Sequence, residues 1–277
     1  MKKILFATPY KSSTGGITQW AGHILKHYET HGLNDCILDV LPMNDVKQGR
    51  STIGMSFRQR VIYGLQTYSH VVKQLKKILK TTQYDILHIS SSASLSLVKD
   101  LWMIKVAHSR NVKTIVHFHF GRIPQLLVSK GWEYYLLKRV IKKADMVVVM
   151  DESSYKALNS NGFNNVSLIP NPLSALVAST AELIGDIKRE PRTITFVGHV
   201  VRNKGVFELV EACRDIDNVE LRIVGPVHPD IQTALEKTAQ TNSLVKFVGT
   251  LPLNEVIKEM KSCGVFALPT YSEGFPN

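Results

Sequence analysis

Short apolar runs alternate with longer amphipathic stretches along most of the chain. The apolar runs are rich in valine and isoleucine and mostly continuous, which is typical of strands buried on both faces of a parallel sheet. They predict strands at residues 3–7, 36–41, 84–89, 114–118, 146–150, 166–169, 193–197, 219–224, 245–248 and 265–268. The intervening stretches predict helices at residues 18–31, 57–80, 94–109, 132–143, 153–159, 206–214, 230–240 and 253–261. This βαβα order predicts a doubly wound α/β fold.

The order is interrupted once, after the sixth predicted strand. Pro170 and Pro172 stop any helix, and no clear periodicity returns before Pro191. We therefore predict an N-terminal Rossmann-like domain at residues 1–171, a linker at 172–190 and a C-terminal Rossmann-like domain at 191–277. Only four strands are predicted in the second domain, and nine residues follow the last of them, so we expect that domain to be incomplete.

Composition narrows the class of protein. Hydrophobic residues make up 44% of the chain and charged residues 21%, as in ordinary folded domains. No apolar stretch approaches the roughly 18 residues of a membrane span, and the N-terminal apolar run is too short for a signal peptide. Three widely spaced cysteines fit the cytoplasm, where we expect the protein to act. The formal charge of +11 indicates an anionic partner: nucleic acid, a phosphorylated small molecule or an acidic membrane surface.

Ligands of open α/β sheets bind at the carboxyl ends of the strands, so the segments after the strands are the candidate sites. Gly15 and Gly16 precede the first helix, where they predict either close approach of an anion or an ordinary turn. His117 and His119 share one face of the fourth strand. They predict a hydrogen-bonding group at the crevice or ordinary packed side chains, and without an apparent third ligand we expect no metal site.

The segment after the first strand of the second domain is the most basic of these candidates. It contains five candidate ligand-binding residues: Gly198, His199, Arg202, Lys204 and Gly205. It lacks the spacing of a Walker loop, but it brings cationic groups and a helix N-terminus to the mouth of a strand, which suits a diphosphate. A solvated basic turn is the alternative.

The segment after the last predicted strand carries a single carboxylate beside a glycine. Glu273 is suited to binding sugar hydroxyls, with the backbone amides of Gly274 and Phe275 beside it. Taken alone, Glu273 is equally an ordinary residue near a helix N-terminus.

Several of these segments together resemble glycosyltransferase family 4, the retaining enzymes of GT-B architecture. The matching segments follow the family order at residues 15–16, 119–121, 169–172, 196–205, 221–225, 245–249 and 267–277. The resemblance implies two Rossmann-like, doubly wound parallel-sheet domains that face a cleft. It covers essentially the whole chain, and its most specific parts are Lys204-Gly205 and the segment around Glu273.

The resemblance also implies roles for individual residues. Lys204 would hold the donor diphosphate, and Glu273 would contact hydroxyls of the transferred sugar with the help of Gly274 and Phe275. Gly16 would let its loop approach the β-phosphate, and His119, with His117 less firmly assigned, would lie near the sugar and the acceptor.

Two departures from the family pattern matter. His199 stands where the family usually has arginine, so we expect Arg202 to supply the missing charge. A second glutamate of the family motif, which usually holds the ribose, would fall four positions beyond Asn277. A truncated, non-catalytic remnant of such a transferase is therefore one alternative, and a basic nucleic-acid-binding protein without a recognisable binding module is another.

The implied reaction moves a hexosyl unit from a nucleotide diphosphate sugar, with a UDP-sugar favoured, to a glycan or lipid-linked acceptor of bacterial surface polysaccharide. No metal or other cofactor is expected, because the protein supplies the cations, and nucleic acid is not expected as a partner. Two predicted helices of the N-terminal domain end in basic residues. The first ends with Lys73, Lys76, Lys77 and Lys80. The second begins with the aromatic residues Trp132, Tyr134 and Tyr135 and ends with Lys138, Arg139, Lys142 and Lys143. These helices predict peripheral contact with the inner face of the plasma membrane, with a solvated surface as the alternative.

Overall fold

The chain folds into two compact units. The computed structural model describes residues 1–10, 16–33, 35–43, 57–172, 174–239 and 244–271. Unit 1 runs from Met1 to Pro172, and unit 2 begins directly after Pro172. Each unit is built on one parallel sheet.

Unit 1 contains a six-stranded parallel sheet with the order β2-β1-β3-β4-β5-β6. Its strands are β1 (Lys2–Thr8), β2 (Cys36–Pro42), β3 (Ile86–Ser91), β4 (Lys113–Phe118), β5 (Met146–Val149) and β6 (Val166–Leu168). Its helices are α1 (Gly16–His31), α2 (Phe57–Thr81), α3 (Ser96–His108), α4 (Ile123–Ser129), α5 (Trp132–Lys143) and α6 (Glu152–Ser160). From β1 the chain first adds β2 on one side and then adds β3 and the later strands on the other side. The boundary between β1 and β3, where the order of strand addition reverses, is the reversal point of this sheet.

Unit 2 contains a four-stranded parallel sheet with the order β10-β7-β8-β9. Its elements are α7 (Ala175–Ile184), β7 (Glu190–Val197), a 3₁₀ turn (Arg202–Lys204), α8 (Val206–Arg214), β8 (Glu220–Val224), α9 (Pro229–Ala239), β9 (Leu244–Gly249), α10 (Leu253–Ser262) and β10 (Cys263–Phe266). Here β8 and β9 are added on one side of β7 and β10 on the other, so the reversal point lies between β7 and β10. The predicted α/β class with two parallel sheets is confirmed.

Each sheet is buried by its own helices. In unit 1, Trp20, Ala21 and Leu25 of α1 cover Phe6 on one face, and the other face belongs to a larger core that includes Leu75 of α2. In unit 2, Phe196 of β7 lies in a core with apolar side chains of α8 and α9. The polar side chains of Thr8 in β1 and His117 in β4 are buried near the carboxyl ends of their strands.

Helices α4 and α7 are not predicted by the sequence pattern. Helix α4 has only seven residues and carries Pro124 in its first turn, so its apolar period is too short to detect. Helix α7 lies in the segment 172–190 that was expected to be a linker. At the C-terminal end of α7, the carbonyl oxygens of Ala181 and Gly185 accept hydrogen bonds from Nζ of Lys261 in α10, at distances of 2.8 and 2.5 Å. Both helices depend on contacts that are remote in sequence.

Candidate functional site

The reversal of the chain in unit 2 brings two loops together at the carboxyl edge of its sheet. Strands β7 and β10 are neighbours, and the loops that follow them are residues 198–205 (the β7 loop) and 267–271 (the β10 loop). Such a reversal point is where doubly wound folds bind their ligands. The most basic candidate segment therefore lies at the expected place in the sheet.

The β7 loop is ordered by backbone hydrogen bonds to its neighbours. The amide of Gly198 donates to the carbonyl of Val224 at 2.9 Å, and the amide of Val200 donates to that of Pro226 at 3.1 Å. Within the 3₁₀ turn, the amide of Gly205 donates to the carbonyl of Arg202 at 3.1 Å. These bonds tie the loop to the segment after β8.

Gly205 allows the β7 and β10 loops to approach each other. Its φ is +70°, and a Cβ built there would lie 2.0 Å from the carbonyl oxygen of Pro269. Beside it, the amide of Tyr271 donates to the carbonyl of Asn203 at 3.1 Å. Only glycine suits this position, because any side chain would meet the backbone of the β10 loop. The Asn203–Tyr271 contact is not evident from the sequence, since the two residues are 68 positions apart in the chain.

The basic side chains of the β7 loop precede the N-terminus of α8 in the chain. His199 and Arg202 are exposed and Lys204 is half-buried. The guanidinium of Arg202 lies 4.7 Å from the centroid of the Phe207 ring. A hydrogen bond from Tyr271 lowers the pKa of Glu208 in the first turn of α8, and the charge of Arg202 acts in the same direction. Arg202 therefore has neighbours within the protein, which the sequence did not indicate.

Four of the predicted site residues cannot be placed. Gly15, Glu273, Gly274 and Phe275 lie outside the described residues. Tyr271 is the last described residue before the Glu273 segment, and Gly16 is exposed at the start of α1. The structure brings Gly198, His199, Arg202, Lys204 and Gly205 together on one loop of unit 2, whereas His117 and His119 belong to unit 1.

In unit 1, His117 and His119 lie against a third histidine, which sequence analysis missed. His88 of the neighbouring strand β3 has its ring centroid 5.7 Å from that of His117, and the His117 and His119 centroids are 4.2 Å apart. Trp20 of α1 packs edge-on against His117 at 4.8 Å and His119 at 4.5 Å. Reading alternate positions of two adjacent predicted strands would have revealed this histidine cluster (His88, His117 and His119).

In the histidine cluster, His117 is buried and His88 and His119 are half-buried, and the pKa of each imidazole is lowered. Burial lowers the pKa of His88 to about 4, that of His117 to about 2 and that of His119 to about 3, and neighbouring histidines lower the last two further. The Nε2 atoms of all three, together with Thr8 Oγ1 and Ser90 Oγ, have no hydrogen-bond partner among the described residues.

No group of three or more His, Cys, Asp or Glu side chains in the described part of the chain has an arrangement that would hold a metal ion. The three histidine rings are nearly parallel to one another instead of converging on a point. Unit 1 therefore offers neutral hydrogen-bonding groups at the edge of its sheet.

Two protein-family models match the chain. Residues 44–175 match the model described as Glycosyltransferase Family 4, and residues 180–277 match the model described as Glycosyl transferases group 1. The first match covers most of unit 1 and the second covers most of unit 2.

Curated relatives are similar at low identity. An uncharacterized glycosyltransferase of Methanocaldococcus jannaschii is 22% identical over 284 residues, covering 99% of this chain and 74% of the relative. A putative teichuronic acid biosynthesis glycosyltransferase of Bacillus subtilis is 25% identical over 196 residues, covering 68% of this chain and 44% of the relative. The chain thus spans less than half of the length of the second relative.

Solved structures share the fold. The lipopolysaccharide outer core galactosyltransferase WaaB superposes with a TM-score of 0.65 at 17% identity, covering 99% of this chain and 76% of its own. The Anabaena protein HepE, in complex with UDP and glucose, superposes with a TM-score of 0.56 at 14% identity, covering 99% and 76% of the two chains. These likenesses identify the GT-B architecture. Because the two family models together account for most of both units, the chain belongs to glycosyltransferase family 4.

Proposed function

We propose that the chain transfers a hexosyl unit, with retention of configuration, from a UDP-sugar to a glycan or lipid-linked acceptor in the synthesis of a surface polysaccharide. The observation that carries the proposal is the β7 loop, which brings Lys204, Arg202 and His199 to the N-terminus of α8 at the reversal point of the unit 2 sheet. Cations and a helix N-terminus together form a site for a diphosphate.

The β7 loop would stabilise the departing UDP. As the bond to the sugar breaks, negative charge grows on the diphosphate, and Lys204 and the α8 dipole interact with it more strongly than with the intact donor. Lys204 is the principal cation in this proposal, as the family resemblance implies, and Arg202, which lies against the Phe207 ring, is the second. The sugar would react by same-face attack of the acceptor hydroxyl, and no metal takes part.

Residues outside the β7 loop would orient the sugar and the acceptor. Glu273, with the amides of Gly274 and Phe275, would contact the sugar hydroxyls, as the family resemblance implies. His119 would receive the acceptor as a neutral hydrogen-bonding group, since burial holds its pKa near 3. Similarity to a galactosyltransferase of lipopolysaccharide, to a teichuronic acid glycosyltransferase and to a protein holding UDP supports the choice of donor and pathway.

Calorimetric titration with UDP tests the donor site directly. Lys204→Ala is expected to weaken UDP binding and to lower turnover by on the order of 100-fold. Lys237→Ala, which removes an exposed lysine of α9, is the matched control and should bind UDP like the wild type. Absence of UDP binding in the folded wild-type chain would refute the proposed donor.

We further propose that unit 1 contacts an anionic membrane surface through the C-terminal end of α4 and the N-terminal half of α5. Val128, Trp132 and Tyr135 are 83%, 56% and 60% exposed, and they lie within eight residues of one another around the junction of the two helices. The outer surface of α5 also carries exposed Arg139, and the acidic Glu133 of the same helix is buried. Apolar and aromatic groups flanked by cations are typical of surfaces that lie on anionic lipid. None of the described helices is long and apolar enough to cross a bilayer.

Cosedimentation with lipid vesicles tests this surface. The wild type is expected to bind phosphatidylglycerol vesicles and not phosphatidylcholine vesicles, and the double variant W132A/Y135A is expected to lose about 10-fold or more in partitioning. Trp102→Ala, which removes an exposed tryptophan of α3, is the control. Equal loss in the control and the double variant would contradict the assignment of the membrane surface to α4 and α5.

A further inference from the structure

The loop between β3 and α3 has an unfavourable backbone conformation. Ala93 and Ser94 have φ values of +71° and +59°, so two consecutive residues other than glycine lie in the left-handed region. Such residues persist only where the surroundings hold them, and they cluster at binding sites. The conformation also explains why α3 begins at Ser96 and not at the predicted Ser94.

One buried carboxylate holds this loop. Glu133 of α5 is 8% exposed, and its Oε1 accepts a hydrogen bond from the backbone amide of Ser94 at 2.7 Å. The same oxygen accepts from Nη2 of Arg122 at 2.6 Å. Arg122 belongs to the loop after β4, so the carboxylate joins the loops that follow two neighbouring strands. We call this arrangement the Glu133 clamp (Ser94, Arg122 and Glu133).

The Glu133 clamp lies beside the histidine cluster. The amide of His119 donates to the carbonyl of Ser91 at 2.9 Å, so the ends of β3 and β4 are already paired there. The clamp connects the segments after β3 and β4. Ser92, which is exposed, lies on the first of these segments, and His119 lies on the second. This is the carboxyl edge of the unit 1 sheet next to its reversal point, where a ligand of the sheet binds.

A favourable interaction with the dipole of α5 does not explain why the Glu133 side chain is buried. A carboxylate in the first turn of a helix favours the helix wherever it points, including into water. Glu152 does this in the first turn of α6, where it is exposed and pairs with Lys156 four residues later at 2.8 Å. Burial of Glu133 against a backbone amide and a guanidinium instead fixes the relative position of two loops.

We propose that Glu133 is a positioning residue of the acceptor site, which holds the loops after β3 and β4 in the geometry that receives the acceptor hydroxyl. The inference rests on the proposed function and adds a residue to it that the family resemblance did not include. Glu133 acts through Ser94 and Arg122 and touches no substrate. Misplacement of a positioned group by about 1 Å is enough to reduce a rate by on the order of 100-fold.

Glu133→Ala removes both interactions of the carboxylate, and Glu133→Gln keeps an acceptor for Ser94 while removing the ion pair. The matched control is Glu152→Ala, which removes an exposed first-turn carboxylate from α6 whose ion-pair partner, Lys156, belongs to the same helix. Hydrogen–deuterium exchange of the peptide covering residues 92–96 tests the clamp without any need for activity. We expect exchange about 10-fold faster in Glu133→Ala, an intermediate rate in Glu133→Gln and no change in Glu152→Ala.

Kinetics and binding then separate positioning from general damage. With UDP-glucose as donor and n-octyl β-glucoside as acceptor, Glu133→Ala is expected to lose roughly 10- to 100-fold in kcat/KM for the acceptor. The Kd for UDP should stay that of the wild type. Adding Ala93→Gly should restore part of the loss, because glycine adopts a φ of +71° without a steric penalty.

Unchanged exchange at residues 92–96 in Glu133→Ala would overturn the proposal, and so would parallel losses in UDP affinity and acceptor kcat/KM. A wild-type chain that binds no UDP would instead refute the proposed function, while the exchange measurement would still decide whether Glu133 holds the loop.

Discussion

The two sheets expose very different chemistry at their reversal points. In unit 2, the β7 loop presents lysine, arginine and histidine at a helix N-terminus, and two of these three side chains are exposed. In unit 1, three neutral histidines are packed under Trp20, with Nε2 atoms that find no partner among the described residues. The same rule of sheet topology therefore places basic side chains at the reversal point of one unit and neutral polar groups at that of the other.

Burial is the physical cause of this difference. A cation keeps its charge where water or a counter-ion solvates it, as at the exposed Arg202, whereas an imidazole loses its proton when it is buried beside other imidazoles. The contrast favours a charged donor at unit 2 and an uncharged acceptor hydroxyl at unit 1.

The largest effect is expected from Gly205→Ala in unit 2. The new methyl group would lie 2.0 Å from the carbonyl oxygen of Pro269, so one of the two loops has to move. We expect UDP affinity to fall by on the order of 100-fold, as for a misplaced site, with a lower melting temperature. The measurements are calorimetry and thermal unfolding.

Gly162→Ala is the control for Gly205→Ala. Gly162 also has a positive φ, +80°, but a Cβ there meets nothing within 4 Å. It therefore isolates the conformational penalty of alanine, about 1–2 kcal/mol. Equal effects of the two substitutions would mean that the close approach of the β7 and β10 loops does not matter.

The next largest effect concerns acid stability of unit 1. The folded pKa values of about 4, 2 and 3 lie below the ordinary 6.5, so the unfolded state binds more protons as the pH falls below about 6.5. Each buried histidine should then remove on the order of 1.4 kcal/mol of unfolding free energy per pH unit, down to its folded pKa. Stability from this source is fully present above pH 7 and is lost progressively as the pH falls from about 6.5 toward these folded pKa values.

Urea unfolding followed by tryptophan fluorescence at several pH values measures this loss. Trp20, Trp102 and Trp132, the three tryptophans of the chain, all belong to unit 1, so the signal reports that unit alone. His117→Phe should reduce the slope against pH by about a third, since one of three titrating groups is gone. His23→Phe, at an exposed position of α1, should leave the slope unchanged.

A smaller effect is expected from His199→Arg, which restores the arginine of the family pattern in the β7 loop. An additional charge-assisted hydrogen bond to the diphosphate should tighten UDP binding roughly fivefold. Thr233→Arg on α9 adds the same charge elsewhere in unit 2 and controls for net charge. Weaker UDP binding in His199→Arg would show that His199 does not face the diphosphate.

The smallest effect is expected from Tyr271→Phe. The variant loses the hydrogen bond from Tyr271 to Glu208, but the Tyr271 side chain is 65% exposed and its backbone bond to Asn203 remains. We expect turnover to change by less than about twofold. A tenfold loss would mean that this hydrogen bond, and not the close approach at Gly205, holds the β10 loop.

Much of the architecture was predictable from the sequence. Continuous Val and Ile runs located the ten strands found in the described residues, because burial on both faces of a parallel sheet leaves few polar positions. The position of the glycines and basic residues of the β7 loop at the carboxyl edge of the sheet was also predictable, because they follow a predicted strand and precede a predicted helix. Helices α4 and α7 were not predictable, because one is very short and the other is held by Lys261 of α10.

The sequence by itself determined the order of the described strands, the class of fold and the basic segment at the mouth of β7. Only the tertiary structure decided that His88 joins His117 and His119, that Gly205 meets Pro269, and that Glu133 reaches Ser94. Local sequence sets backbone preference and the alternation of buried and exposed positions, which are short-range properties. The register of neighbouring strands and the burial of a carboxylate arise from contacts between residues far apart in the chain, and these exist only in the folded state.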